Sequence, residues 1–86
     1  MGPYKVTLAR SARKELESLP EPLQSRVLGR IEALGSNPRP SGCRKLEGAE
    51  DVWRIRVGDY RLIYSVDDSR HLVDISVIRH RSDAYR

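Results

Sequence analysis

The sequence predicts an α+β domain in which a helical hairpin packs on one face of a small, mainly antiparallel sheet. Three observations carry that reading. The hydrophobic period is helical from Ala12 to Leu34 and switches to two beyond Arg44. The Leu19-Pro20-Glu21-Pro22 stretch divides the helical half in two, and Gly58-Asp59 divides the strand half with the signature of a two-residue hairpin turn. The predicted order is β-α-α-β-β-β, and 86 residues make it one domain, residues 1–86.

Tyr4, Val6 and Leu8 alternate with Lys5 and Thr7, the pattern of a first strand with one buried face. Ser11 is the candidate N-cap of a short helix that carries Ala12, Leu16 and Leu19 on one side. Pro22 suits the first turn of a second helix, where its missing N–H costs nothing. Leu23, Val27, Ile31 and Leu34 then recur at helical spacing, and Gly35 followed by Asn37-Pro38 marks the stop. Residues 36–44 hold two prolines and a glycine without periodicity and read as a loop. Residues 52–57 and 60–66 form the hairpin, 67–71 a second turn, 72–78 the last strand and 79–86 a polar tail.

Composition narrows the function classes. Hydrophobic residues make up 38% and charged residues 33%, a lean core under a charged surface. Net charge is +4 and the pI about 9.6. Only Lys5, Lys14 and Lys45 are lysines; the other thirteen basic residues are arginines, the side chain suited to gripping phosphate or carboxylate with a planar fork. A polyanion partner is one reading of that surface, with nucleic acid ahead of membrane, and plain solubility is the other. Cys43 is the lone cysteine, which excludes an intramolecular disulfide. No apolar stretch has the length of a signal peptide or a bilayer span, so a soluble cytoplasmic protein is the expectation. No metal-ligand spacing, Gly-rich phosphate loop or Ser/His/Asp set is present; Cys43 reads as an unused thiol and His71 as a turn residue.

If Gly58-Asp59 is the turn, the cross-strand partners are Val57–Tyr60, Arg56–Arg61, Ile55–Leu62, Arg54–Ile63 and Trp53–Tyr64. Alternation puts Trp53, Ile55, Val57, Tyr60, Leu62 and Tyr64 on the helix-facing side, and Arg54, Arg56, Arg61 and Ile63 on the other. Arg56 opposite Arg61 is a like-charge pair that weakens the hairpin. A solvated face partly neutralised by Asp74 would account for it, and so would a phosphate cradle. The tail Arg79-His80-Arg81-Ser82-Asp83-Ala84-Tyr85-Arg86 leaves the sheet beside the hairpin and can fold over the same face. Histidine exchanges protons near neutrality, and tyrosine stacks on bases or donates its phenolic proton; a frayed basic end is the plain alternative.

Ala12-Arg-Lys-Glu-Leu16 with Leu19-Pro20, Asn37-Pro38, Lys45-Leu-Glu-Gly48, the run from Trp53 to Tyr64 and the run from Ile75 to Tyr85 together resemble the RelE/ParE superfamily of type II toxin–antitoxin toxins, and its RelE-like branch in particular. The resemblance implies the RelE-like β-α-α-β-β-β fold and an mRNA interferase that enters the ribosomal A site and cuts the message there. It implies no metal or cofactor, a cognate antitoxin that wraps and neutralises the toxin, and no membrane. The family's basic catalytic positions fall on Arg54, Arg56, Arg61 and Arg79, and its C-terminal tyrosine on Tyr85. The best-known RelE-type pattern has lysines where this chain has Arg54 and Arg56, and lacks a histidine at the position of His80. Arginine stays protonated far above neutral pH, so Arg56 and Arg61 are cast as phosphate clamps, His80 as base or acid, and Tyr85 as a stacking or assisting group. Arg44, Lys45 and Arg81 are assigned to the RNA backbone. A ParE-like inhibitor of DNA gyrase, and a degenerate toxin that only binds an antitoxin, are the alternatives. The antitoxin segment is expected over the helices or over the arginine face.

Overall fold

A computed structural model describes residues 3–82. The chain runs through β1 (Lys5–Leu8), α1 (Arg10–Ser18), α2 (Leu23–Ser36), β2 (Arg44–Lys45), β3 (Val52–Val57), β4 (Tyr60–Asp67) and β5 (Leu72–His80). The five strands form one sheet in the order β1-β5-β4-β3-β2. Only β1 and β5 run parallel; the other neighbours are antiparallel. The two-residue β2 lies inside what sequence alone reads as loop and an unassigned stretch, because so short a strand has no periodicity to betray it.

Both helices lie on one face. Ala12 and Leu19 join Val27, Ile31 and Leu34 of α2 against Ile55, Val57, Leu62, Tyr64, Val66, Val73, Ile75 and Ile78 of the sheet. Burying each of the larger aliphatic side chains contributes about 1.5–3 kcal/mol, and this one layer carries the fold. Among the described residues no helix covers the opposite face, which is where Arg56, Arg61 and Arg79 stand.

The helix ends differ from the sequence expectation. Ala9, not Ser11, caps α1, with no side-chain bond; its N–H donates to the Ile75 carbonyl, so the chain passes from β1 straight into the helix. Pro22 occupies the cap position of α2 rather than its first turn. The Gln24 amide donates to the Leu16 and Glu17 carbonyls at the end of α1, where the helix runs out of its own donors. Gly35 does not stop α2, which continues through Ser36. It is there for closeness: a Cβ at that position would lie 3.0 Å from the Tyr4 carbonyl oxygen.

The hairpin has the register read from the sequence, including Arg56 opposite Arg61. Gly58 takes φ +60, the first central position of a type II′ turn. β5 extends to His80, two residues beyond the expected end, and carries a bulge opposite Ile63 and Tyr64. Ser76 is the extra residue there, its hydroxyl donating to the Ile63 carbonyl. The bulge shifts the phase of β5, so that Ile75 and Ile78 both face the core and Val77 and Arg79 both face away.

Candidate active site

Cross-strand partners in a sheet share a face, so the register assembles the site. Arg56 of β3, Arg61 of β4 and Arg79 of β5 form one row across three strands. Arg44, Arg54, Ile63 and Val77 form the next row. Five arginines from four strands thus stand in two adjacent rows on the open face. Neighbouring strands are about 4.8 Å apart and successive rows about 6.8 Å, so the five side chains leave the sheet within a patch of nucleotide size.

Asp74 stands two rows from Arg61 on the same face. It faces Ser65 and Thr7, and its carboxylate accepts the Thr7 hydroxyl at 2.7 Å. Ser65 is four residues from Arg61 along β4, about 13 Å, which is beyond ion-pair reach. Like charges placed side by side weaken a sheet, so the row of Arg56, Arg61 and Arg79 is not explained by pairing energy.

A groove of about 500 Å³ opens at the hairpin end of the patch, lined by Arg56, Gly58, Asp59, Tyr60, Arg61, Arg81 and Ser82. Arg81 is held there by its backbone N–H, which donates to the Asp59 carbonyl at 2.7 Å. The turn after β5 is therefore pinned to the hairpin tip, and Arg81 lines the groove with Arg56 and Arg61.

Two expected residues face elsewhere. Lys45 pairs with Trp53, whose side is the helix-facing one, so register separates it from its neighbour Arg44. His80 pairs with Tyr60 and therefore projects from the face opposite Arg61 and Arg79. Its ring meets the Tyr60 ring edge-on at 5.2 Å. The Ser82 N–H donates to His80 Nδ1 at 3.2 Å and the Ser82 hydroxyl lies 2.7 Å from the same nitrogen, so the neutral ring carries its proton on Nε2. The expectation that His80 stands beside the arginines fails, because β5 continues through it and alternation turns it away. Tyr85 lies outside the described residues.

The far end of the sheet is built differently. Arg39 pairs with Asp68 through both guanidinium nitrogens, at 2.8 and 3.2 Å, and lies over the Trp53 ring at 5.3 Å. Tyr4 donates its hydroxyl to the same carboxylate at 2.6 Å. These bonds hold the Asp68 carboxyl below its ordinary range and raise the Tyr4 phenol. The Tyr64 hydroxyl donates to the Pro38 carbonyl at 2.7 Å, and burial pushes its phenol well up. Together these contacts tie residues 37–43 to the sheet, which fixes the approach to β2 and so the position of Arg44. Among the described residues, no three side chains of His, Cys, Asp or Glu gather as a metal-binding group, and no helix is long and apolar enough to cross a membrane.

Comparison with known proteins agrees with this architecture. The family model described as the ParE toxin of type II toxin–antitoxin system parDE matches residues 6–85. A curated relative, Toxin RelE of Mycobacterium tuberculosis, is 34% identical over 85 residues, 98% of this chain and 88% of its own length. The archaeal RelE–RelB complex from Pyrococcus horikoshii contains a chain that is 35% identical with a TM-score of 0.81, covering 91% of this chain and 94% of that one. The isolated E. coli RelE toxin is 26% identical with a TM-score of 0.79, covering 95% and 90%. A family match over almost the whole described sheet and helix pair, together with a fold shared with solved RelE chains, places this chain in the RelE/ParE superfamily of type II toxin–antitoxin toxins.

Proposed function

We propose that this toxin is an endoribonuclease that cuts mRNA in the ribosomal A site, with its active site on the arginine face. The row Arg56–Arg61–Arg79 is the observation that carries the reading. In cleavage by the neighbouring 2′-oxygen, that oxygen attacks phosphorus, the bond to the 5′-oxygen breaks, and charge accumulates on the phosphorane oxygens. Three guanidinium forks fixed on adjacent strands suit that charge without reorganising at the moment of reaction. Arg54 and Arg44 in the next row extend the contact to the RNA backbone, and Arg81 closes the hairpin end.

Arginine keeps its proton, so proton transfer falls to other groups. His80, bonded to Ser82 on the Tyr60 face, serves as a positioning residue for the turn that carries Arg81. Tyr85, carried over by family resemblance, is the candidate proton donor or stacking group.

RelE chains have been solved bound to their RelB antitoxin, and a cognate antitoxin is the proposed partner here too. The match to a model described as a ParE toxin supports a second reading, gyrase inhibition without chemistry. One experiment separates them: primer extension on a defined message in a purified translation system, with and without ribosomes, for the wild type and Arg61→Ala. Cuts that require ribosomes and vanish in the variant, with circular dichroism unchanged, support the nuclease. Intact message with translation unimpaired overturns it and directs the test to DNA supercoiling.

A further inference from the structure

A second groove, of about 440 Å³, lies on the other side of Arg56 from the hairpin groove. It is lined by Arg30, Ser41, Gly42, Arg44, Arg54 and Arg56, together with Ile55. Its origin is the shortness of β2, which pairs only with Trp53 and Arg54 and leaves the β3 edge uncovered from Ile55 onward. α2 packs behind β3, and the exposed Arg30 comes from that helix to the open edge. Gly42, at φ +93, brings the preceding loop to the groove with no side chain in the space above it.

Among the described residues, four arginines line this groove and no carboxylate does. Arg44 stands directly opposite Arg54, so a second like-charge pair repeats, one row on, the arrangement of Arg56 and Arg61. Arg56 lines both grooves, which makes the basic surface continuous from the hairpin tip to the β2 edge. Arg30 was not singled out by sequence reasoning, since a lone arginine on the polar side of an amphipathic helix carries no signal until the fold brings it to the edge of β3.

We infer that this groove is a second phosphate-binding subsite, holding a backbone phosphate next along the strand from the one seated at Arg56, Arg61 and Arg79. The inference rests on RNA being the ligand of the arginine face. The strand then runs from the hairpin tip across Arg56 to Arg54, Arg44 and Arg30. Ser41 supplies a hydroxyl to the same oxygen shell.

The test is binding rather than cleavage, using a length series of 2′-O-methyl oligoribonucleotides, which lack the attacking hydroxyl. Affinity is measured by fluorescence anisotropy across salt concentrations for the full chain, for Arg30→Gln, and for Arg13→Gln. Arg13 is equally exposed but on α1, so its loss changes net charge by the same amount away from the groove. Arg30→Gln is expected to weaken the longer oligonucleotides on the order of fivefold and to lower the log affinity–log salt slope by about 0.7, one single-strand phosphate contact. The shortest oligonucleotides, which fill only the hairpin groove, bind as to the wild type. Arg30→Gln behaving like Arg13→Gln at every length overturns the subsite, as does a wild type that binds no oligonucleotide at any salt. A length-dependent loss in Arg30→Gln without any message cleavage in translation would leave the subsite standing and remove the nuclease reading.

Discussion

Arg79 of β5 stands directly opposite Arg61 of β4 on the open face of the sheet, although unbroken alternation from Ile75 would turn it into the core. The bulge at Ser76 makes the difference, and it completes a row that Arg56 continues on the other side. Two like-charge pairings in one row weaken the sheet at the place where the proposed site stands.

Relieving that cost should stabilise the protein while disabling it. Arg56→Thr keeps a residue that favours strands, removes the repulsion with Arg61, and should gain about 0.2–1 kcal/mol. A gain of that size raises the midpoint of thermal unfolding by roughly 1–8 °C in a domain this small. The gain should shrink as salt is added, because salt already screens the repulsion. Message cleavage should fall by about 10²–10³ with one clamp gone. Calorimetry and primer extension on the same preparation check both halves, and a variant less stable than the wild type at low salt contradicts the argument.

Much of this was legible in the sequence because it follows from local periodicity. The turn at Gly58-Asp59 determines the pairing of Arg56 with Arg61, and alternation alone assigns Arg54 to their face. What was not legible depends on register across strands distant in sequence. Nothing near Ser76 announces an inserted residue, and without the bulge neither the side of Arg79 nor that of His80 can be derived. Lys45 and Arg44 differ only in which residue of β3 they oppose, which a two-residue strand cannot reveal.

The position of His80 has a kinetic consequence. If His80 took the proton from the 2′-hydroxyl, His80→Ala would lose about 10²–10⁴ in rate. Because its ring faces Tyr60 and its Nδ1 is engaged by Ser82, the expected loss is below about tenfold. His80→Asn, which keeps an acceptor for the Ser82 N–H, should recover part of the loss. Single-turnover cleavage distinguishes the two roles.

Tyr64→Phe should cost about 1–2 kcal/mol, because it deletes a donor inside the core and leaves the Pro38 carbonyl without that bond. The Tyr64 phenol is raised above its usual 10.0, so the folded state holds the proton after the unfolded chain has begun to release it. Stability contributed by that group is full below about pH 10 and is lost as pH rises from there. Urea unfolding should therefore show a lower midpoint at neutral pH and a shallower alkaline decline in the variant, with the same m-value.

At the acid end the sign reverses. Arg39 and Tyr4 hold the Asp68 carboxyl below its ordinary 3.8, so its contribution is present above about pH 4 and disappears as pH falls through the lowered value. Asp68→Asn should flatten that part of the stability curve below about pH 4. Part of the decline should remain, since Ser69 and the Arg70 backbone lower Asp67, and Ser25 lowers Glu21. Unfolding midpoints over a pH series measure this, and unchanged curves would mean that solvent screens the Arg39 cluster completely.

Gly29 and Gly35 lie in the same helix and should respond to alanine in opposite directions. A Cβ at Gly29 meets nothing within 4 Å, so Gly29→Ala gains the helix-propensity difference, about 0.8–1 kcal/mol. At Gly35 the same gain is set against a Cβ 3.0 Å from the Tyr4 carbonyl oxygen and 3.3 Å from Val6 Cγ2. The first neighbour is backbone, and the Tyr4 N–H also donates to the Gly35 carbonyl at 2.7 Å, so relief requires moving β1 on its hydrogen-bonded track. Overpacking of this kind costs about 1–3 kcal/mol, which outweighs the propensity gain. Because β1 pairs only with β5, the disturbance should reach β5 first, appearing as faster amide exchange at residues 72–75, with the arginine row at the other end of β5 left intact. Gly35→Ala should thus be less stable yet keep its cleavage rate per folded molecule, whereas a Gly35→Ala more stable than wild type would mean that β1 yields without cost.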